Sequence, residues 1–307
     1  MPNFAEDAEM LEWAGIGFGE EDTYRMGRAF KRLAQMSGAS QLTFFGKVYG
    51  TCKDYWIASG KLNEAEESPD PRMEARGDGV NELVYWVSDS LVNDWVQLPD
   101  CKPEHIVQAR AIKHCLTGNL NAEIVGNPTF NGREIHFLRA QIARISAATI
   151  ICPKGYYEFT EPENENEKPE MRLADEPPAL GSTELLSLEA WGNLYPNILK
   201  QGRTAHVKPD DMDEETWETQ LADLAEADKV EERFRDLTLH NKIPGLEAAW
   251  TSKLVGDAQP YNKGEGTVTY AHNVLRSLRW PGAVTVFKGG KFVNCYVGWG
   301  IKHGDVV

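Results

Sequence analysis

The stretch WPGAVTVFKGGKFVNCYVGWG, residues 280–300, predicts a β-hairpin. Apolar residues alternate on both sides of the dipeptide Gly289-Gly290, which tolerates the positive φ angles of a two-residue turn. A turn at that dipeptide places Val286 directly opposite Val293. The register of the two strands therefore follows from the turn alone.

A phosphate-binding loop is the alternative interpretation of these glycines, and it fails on position. Such a loop requires a hydroxyl residue directly after its lysine and a glycine six residues before that lysine. Here Phe292 follows Lys291, and Thr285 holds the position of the first glycine. We therefore interpret the stretch as architecture.

Both faces of the predicted hairpin carry apolar side chains. One face holds Val284, Val286, Val293, Cys295, Val297 and Trp299, and the other holds Thr285, Phe287, Phe292, Asn294 and Tyr296. A strand that is apolar on both sides is typically covered on both sides. We expect one face to pack on a core of the same chain and the other to be covered by a partner subunit.

The charge balance favours a protein partner over nucleic acid or a membrane surface. The 307 residues include 47 Asp and Glu against 32 Lys and Arg, which gives a net charge of −15. Nucleic-acid-binding proteins usually concentrate positive charge on one face, and this sequence has no comparable basic run. A hydrophobic fraction of 41% is sufficient for a substantial core.

The sequence indicates a reduced intracellular compartment. Its five cysteines are widely and irregularly spaced, without a C-x-x-C pair: Cys52, Cys101, Cys115, Cys152 and Cys295. The acidic first ten residues lack the layout of a signal peptide, and no stretch approaches the length needed to cross a bilayer.

The periodicity predicts an α+β fold, with an antiparallel sheet, hairpins and peripheral helices, in a single domain spanning 1–307. Predicted helices are 3–13, 21–36, 103–118, a segment from 183, and 209–237, the last being the longest helical pattern. Predicted strands are 42–50, 53–60, 82–88, 94–99 and 267–280. For 136–153 the isoleucines and threonine favour a long strand, with a helix as the alternative.

Two acidic, proline-bearing segments, 61–79 and 161–178, are predicted to be exposed or flexible insertions. Their composition provides too few apolar groups for a packed core.

Sequence motifs do not indicate an enzyme. The glycines of 15–19 follow a helix rather than a strand, so they indicate a turn and not a dinucleotide site. The alternating acids from Asp211 lack the glycine and glutamate of a calcium loop. His114 and Cys115 are adjacent, so in a helix they point about 100° apart and cannot pair with each other. A hydrolase or transferase whose site is assembled from distant residues remains the alternative.

Arg139 and Arg144 lie within an otherwise apolar run, residues 138–145. Guanidinium groups are costly to bury without partners. A structural ion pair and a contact with another subunit are the two interpretations.

Several stretches together resemble the radial spoke head proteins of the motile-cilium axoneme, of the type numbered four and six. They occur in family order: LEWAGIGFGEEDTYRMGRAFKRLA (11–34), FFGKVYG (44–50), PEHIVQARAIKHCLTGNLNAEI (103–124), LRAQIARISAATIICPKGYYEF (138–159), NILKQGR (197–203), AAWTSKL (248–254) and LRSLRWPGAVTVFKGGKFVNCYVGWG (275–300). The block 138–159 and the terminal W-P-G … F-x-N-x-Y-x-G-W-G pattern are the most specific.

The resemblance implies a non-enzymatic scaffold in the axoneme, without catalytic residues, cofactor or metal. The implied partners are a like subunit in a homo- or heterodimer, the nine-type spoke head protein, MORN-repeat spoke head proteins and, transiently, central-pair projections. Family members carry longer acidic insertions and tails, so the resemblance leaves open a four-like, a six-like or a single ancestor-like protein.

We expect the protein interface to include a few of the aromatic and guanidinium side chains discussed above, because aromatic and arginine side chains anchor such contacts. The expected residues are Arg139, Arg144, Trp280, Phe287, Phe292, Tyr296 and Trp299.

Overall fold

An eight-stranded sheet is the central element of the protein in a computed structural model. The structure describes residues 4–62, 72–91, 95–160, 171–209, 211–224, 233–235, 237, 249–256, 261–263, 266–268 and 271–303.

The helices of the described residues are α1 Phe4–Glu12, α2 Gly19–Ser37, α3 Pro103–Ala111, α4 Glu134–Thr149 and α5 Glu214–Asp223. The strands are β1 Ser40–Val48, β2 Tyr55–Lys61, β3 Val84–Ser88, β4 Val96–Gln97, β5 Ile151–Pro153, β6 Tyr157–Phe159, β7 Met171–Leu173, β8 Trp191–Asn193, β9 Trp250–Val255, β10 Tyr261–Lys263, β11 Gly266–Val268, β12 His272–Ser277, β13 Ala283–Lys288 and β14 Lys291–Gly298.

The large sheet has the order β4-β3-β2-β1-β14-β13-β12-β9. All neighbouring strands are antiparallel except β1 and β14, which run parallel. The predicted α+β class with an antiparallel, hairpin-rich sheet is therefore confirmed, with one parallel pair at its centre.

The hairpin predicted for 280–300 is confirmed in register. Val286 lies opposite Val293, as the two-residue turn requires. Gly289 and Gly290 have φ angles of 55° and 86°. Positive φ at both central residues is the geometry that matches the twist of the flanking strands.

The parallel contact between β1 and β14 depends on a glycine. Gly46 has φ 151°, and a Cβ placed on it would lie 1.9 Å from the carbonyl oxygen of Tyr296. The register of β1 against β2 also shifts between Phe44 and Gly46, as in a β-bulge. A side chain at this position would push the two central strands apart.

Helices cover both faces of the sheet. Side chains of α1 and α2 form one core with Val284, Val286 and Cys295 of the hairpin. Side chains of α3 and α4 form a second core on the opposite face, together with Tyr296. A third, smaller core packs against Phe287. The sheet is thus the middle layer of three.

The strand prediction for 136–153 is wrong, because most of this segment forms helix α4. Thirteen of the 16 residues of α4 are buried, so apolar side chains occur on all sides and give no helical period in the sequence. Tertiary burial then outweighs the modest preference of isoleucine for strands. Only β5, at the end of the segment, is a strand.

The start of α4 is fixed by a fully buried carboxylate, that of Glu134. Its Oε1 accepts hydrogen bonds from the hydroxyl of Tyr55 (2.7 Å) and the backbone N–H of Gly118 (2.8 Å). Its Oε2 accepts from the backbone N–H and the hydroxyl of Thr117, each at 2.8 Å. Burial, followed by the bond to Glu134, raises the pKa of Tyr55 above its usual range, so the phenol remains a donor. One carboxylate therefore joins α4, β2 and the loop after α3.

The helix predicted for 103–118 ends early, at Ala111. Ile112 has an extended backbone, and the carbonyl oxygens of Leu116 and Thr117 accept hydrogen bonds from residues 51–53. The last residues of the predicted helix therefore accept hydrogen bonds from the loop between β1 and β2 instead of continuing the helix.

The helix predicted from 183 is replaced by two 3₁₀ turns, Glu184–Leu186 and Leu188–Ala190, followed by β8. The continuous helix predicted for 209–237 is also wrong, because α5 ends at Asp223 and the next residue, Leu224, is extended. The parts of this prediction on 210, 225–232 and 236 lie outside the described residues.

The acidic segments are only partly described. In 61–79, Met73 and Glu74 are buried, so the expected exposure is wrong at these two residues. The Glu74 carboxylate accepts bonds from the backbone of Val80 and Thr204, which explains its burial. In 161–178, β7 pairs with β6. Residues 63–71 and 161–170 lie outside the described residues.

Candidate functional site

The structure covers the second face of the hairpin with the protein's own residues. Phe287 is 4% exposed and Tyr296 is 2% exposed. The expectation that this face requires another subunit is therefore wrong. The reason is that α4, which the sequence pattern did not reveal as a helix, covers Tyr296, while Tyr156 and Trp191 of the third core cover Phe287.

Trp280 also lies inside the protein, where it contacts Arg144. The guanidinium carbon of Arg144 is 5.2 Å from the centroid of a Trp280 ring. Its Nη1 donates to the carbonyl of Ala109 and to Oε1 of Gln141, both at 2.8 Å. These contacts join α4, α3 and the residue before the hairpin, so Arg144 stabilises the interior rather than a subunit contact.

Arg139 is buried on α4 and bonded to neutral acceptors. Its Nη2 donates to the Val80 carbonyl (2.8 Å) and to Oδ1 of Asn81 (3.1 Å). The guanidinium carbon lies 4.8 Å from the centroid of the Tyr85 ring. The cation is thus held by carbonyl groups and an aromatic face, instead of the predicted ion pair.

Two of the seven expected interface residues retain exposed surface, Phe292 and Trp299. Phe292 is half-buried, with its ring centroid 5.9 Å from Tyr156 and 6.2 Å from Tyr157. Trp299 is 48% exposed and packs edge-on against Tyr49 at 5.5 Å. The interface assignment stays a prediction for these two residues, and Trp299 offers the larger accessible area.

The surface around Trp299 combines aromatic rings with a cation. The ammonium of Lys47 lies 5.8 Å from the ring centroid of Tyr49 and 4.7 Å from that of Trp56. The same ammonium pairs with Asp54 at 2.9 Å. Exposed aromatic side chains held in place by neighbours are typical anchors of protein contacts.

The protein surface carries two grooves that no sequence pattern indicates. One, of about 710 Å³, lies between α1 and α2, and three glutamates line it together with two basic residues. The other, of about 810 Å³, lies between the start of α3 and residues 201–209, and its charged lining is mostly basic, with four Lys or Arg and one Glu. The lining of the second groove comes from three distant parts of the sequence, so no local motif marks it.

The buried thiols are poorly suited to nucleophilic chemistry. Burial raises the pKa of the Cys101 thiol to about 11 and that of Cys152 to about 12. A thiol that stays protonated at neutral pH is a weak nucleophile. In the part of the chain that the structure describes, no group of three or more histidine, cysteine or carboxylate side chains could hold a metal ion.

Two histidines lie side by side, as in some catalytic sites, but their contacts serve packing. The ring centroids of His105 and His136 are 5.1 Å apart, and His105 bonds the Asn131 carbonyl. Burial lowers the pKa of both imidazoles. Both rings bond the backbone, and His105 also contacts the Phe130 ring, so the pair serves to pack the loop before α4.

None of the helices within the described ranges is both long enough and apolar enough to cross a membrane.

The family-like stretches of the sequence correspond to an established family. Its sequence model, described as "Radial spokehead-like protein", matches residues 1–74 and 65–306. Since this match covers nearly the whole chain, the chain belongs to the radial spokehead-like family.

Curated relatives carry the corresponding names. The chain is 32% identical to "Radial spoke head protein 4 homolog A" of Homo sapiens, covering 99% of this chain and 48% of the relative. It is 33% identical to "Radial spoke head protein 6 homolog A" of Xenopus tropicalis, covering 99% and 66%. It is 30% identical to "Flagellar radial spoke protein 4" of Chlamydomonas reinhardtii, covering 99% and 68%. The chain thus spans about half the length of the human relative and about two thirds of the other two.

Proposed function

We propose that the chain is a structural subunit of the radial spoke head in the axoneme of motile cilia or flagella. The observation that carries this proposal is the family match over residues 1–74 and 65–306, which includes every layer of the fold. In this role the protein would help to transmit mechanical signals between the central pair and the dynein arms.

The architecture supports a scaffold. Three cores fill the space on both faces of an eight-stranded sheet. Buried polar contacts such as those of Glu134 and Arg144 tie the layers together. Close-packed interiors have low compressibility and transmit strain, which suits a part that passes force between neighbours.

We further propose that the chain is not an enzyme. The relatives are named as spoke proteins. The buried thiols of Cys101 and Cys152 have raised pKa values, which disfavours a nucleophilic role. No comparison favours the hydrolase or transferase alternative.

The proposed partners are a like subunit, in a homo- or heterodimer, together with nine-type and MORN-repeat spoke head proteins. Central-pair projections would make transient contact. Trp299 is the residue that we expect at one of these contacts, because it presents an exposed indole on a surface fixed by Tyr49.

The function is tested by expressing the tagged chain in flagellated cells that lack their own four- and six-type spoke head subunits. We expect the tag to co-purify with the spoke head from isolated axonemes and motility to be restored. Stable expression without incorporation into axonemes would contradict the proposal.

The contact at Trp299 is tested by Trp299→Asp in the same cells. Incorporation should fall by at least about tenfold, since a charge replaces an aromatic anchor. The matched control is Val125→Asp, because Val125 is an apolar residue that is 85% exposed. Equal incorporation of the two variants, with equal thermal stability, would remove Trp299 from the interface.

A further inference from the structure

The basic groove between α3 and residues 201–209 has a charge opposite to that of the whole protein. Its charged and titratable lining consists of Arg72, Lys102, Glu104, Arg203, His206 and Lys208. Four of these are Lys or Arg and one is Glu, in a chain whose net charge is −15. Lys208 also pairs with Glu214 at 2.6 Å, which offsets part of its charge. The groove is nevertheless a local concentration of positive charge.

The groove is held open by contacts within the protein. Arg110 of α3 donates hydrogen bonds to the carbonyls of Ile198 (3.0 Å) and Lys200 (3.1 Å), which fixes the segment across the helix. Gly202 has φ 88°, and a Cβ on it would lie 2.3 Å from the carbonyl oxygen of Pro103. The segment therefore packs closely against the first residue of α3, and contacts within the chain give the groove its shape.

Apolar side chains line the groove together with the basic ones. Val107 is 42% exposed and Val207 is 48% exposed, and Pro209 also lines the groove. The start of α3, the positive end of its macrodipole, also lines the groove, because Lys102 and Pro103 belong to the lining. A groove lined by basic and apolar groups matches an occupant that carries both acids and small apolar residues.

We propose that this groove binds an acidic, proline-bearing peptide segment of a partner protein in extended conformation. Charge complementarity supplies the specificity, because the net charge of −15 disfavours the approach of an acidic segment, whereas the basic groove attracts it. The screening length of about 8 Å at physiological salt confines that attraction to the groove itself. The valines and prolines of the groove then cover the apolar residues of the peptide.

The probe for this proposal is a fluorescein-labelled ten-residue peptide of alternating glutamate and proline, which favours an extended polyproline conformation. Fluorescence anisotropy with the full chain should show saturable binding in 50 mM salt. Binding should weaken by at least about tenfold in 300 mM salt, because the contacts are exposed charges. The matched peptide of glutamine and proline should bind at least about tenfold more weakly. Absence of saturable binding, or equal binding of the two peptides, would overturn the proposal.

The position is tested by the double variant Lys102→Glu/Lys208→Glu. The control is Lys31→Glu/Lys113→Glu, which changes the net charge equally at exposed lysines outside this groove. The groove variant should lose at least about tenfold in affinity, and the control should stay within about twofold. Equal losses in both would show that overall charge, and not the groove, governs binding.

A second measurement covers the case in which the groove variant does not fold. A benzophenone-bearing form of the glutamate–proline peptide, photolysed with the unmodified chain, should label residues 102–107 or 201–209. Labelling confined to other segments would refute the groove. These assays use the isolated chain, so their outcome is independent of whether the spoke head role is correct.

Discussion

Replacing Glu134 by glutamine tests whether one buried carboxylate joins the layers of the fold. The side chain is fully buried, and its two oxygens accept four hydrogen bonds, two from the backbone N–H groups of Thr117 and Gly118. An amide keeps one acceptor oxygen and puts an NH₂ group in place of the other. In either orientation, that NH₂ group faces a backbone N–H that can only donate. The hydroxyls of Tyr55 and Thr117 can rotate to accept, but one backbone donor is left without an acceptor.

The expected cost follows from this geometry. Hydrogen bonds to a charged acceptor contribute about 1.5–3 kcal/mol, and a buried donor without an acceptor costs about 1–3 kcal/mol. Part of the loss is recovered because the neutral amide is cheaper to bury than the carboxylate. We therefore expect Glu134→Gln to lower the free energy of unfolding by about 2–4 kcal/mol. Tyr55→Phe, which removes one donor and leaves three in place, should cost about 1–2 kcal/mol.

The assay is urea unfolding of the isolated chain at neutral pH, followed by the fluorescence of its nine tryptophans. The control is Glu189→Gln, because Glu189 is exposed and the same chemical change there should alter the unfolding free energy by less than about 0.5 kcal/mol. In the double variant Tyr55→Phe/Glu134→Gln the two costs should not add, because both changes act on one cluster. If Glu134→Gln proves no more destabilising than the control, the claim that this carboxylate links the layers is refuted.

Two further changes test the sheet centre and helix α1. Gly46→Ala should lower the unfolding free energy by at least about 3 kcal/mol in the same urea assay, because its Cβ would overlap the Tyr296 carbonyl. The control is Gly27→Ala, which lies in an open helical position and should be neutral or stabilising. Equal effects of the two changes would contradict the close approach of β1 and β14. Burial, with a smaller effect of Glu6, raises the pKa of Asp7 to about 6. The folded protein therefore binds the Asp7 proton more tightly than the unfolded chain does, and the stability of the protein falls as pH rises from about 4 to about 6. Asp7→Asn should therefore stabilise the protein by about 1–3 kcal/mol at pH 7 and have little effect at pH 4, and a gain that does not depend on pH would exclude this explanation.

Local signals predicted the hairpin and the first two helices correctly. In 280–300 the turn dipeptide and the alternation specify the same register, so no distant contact is needed to choose it. Helices α1 and α2 lie on one face of the sheet, and the glycine-rich residues 15–19 separate them as a turn. Their one-sided burial produces the apolar stripe that sequence periodicity detects.

Helix α4 illustrates where such signals fail. It is surrounded by the sheet, α3 and the segments that follow it, so Arg139, Gln141 and Arg144 are buried as well as its isoleucines. A helix buried on all sides has no polar face to set the period. Its polar residues are accommodated by particular acceptors, such as the carbonyls of Val80 and Ala109, which only the folded chain brings near.

The expected interface failed for a related reason. The apolar second face of the hairpin correctly indicated that something covers it, but the sequence did not show that the cover is part of the same chain. Helix α4, which covers Tyr296, lies far before the hairpin in the sequence and overlaps the segment 136–153 that is predicted as a strand. Exposure depends on the whole fold, and for that reason five of the seven expected interface residues are buried and Phe292 and Trp299 retain accessible surface.

The two sequence blocks that most specifically resemble the family, 138–159 and 280–300, meet inside the protein. Their similarity to relatives therefore reflects the fold and does not identify the partners. Arg144 and Gln141, in the first block, contact Trp280 and the carbonyl of Gly300 in the second, the latter at 2.9 Å. Residues that share a buried network are constrained by the fold, so their resemblance to relatives reports architecture. Contacts with neighbouring subunits must instead use exposed groups, such as Trp299 and the lysines of the basic groove. Variants at the surface should therefore alter assembly without loss of stability, whereas Trp280→Ala should lower the unfolding free energy by about 3–5 kcal/mol and reduce assembly only through loss of the folded protein.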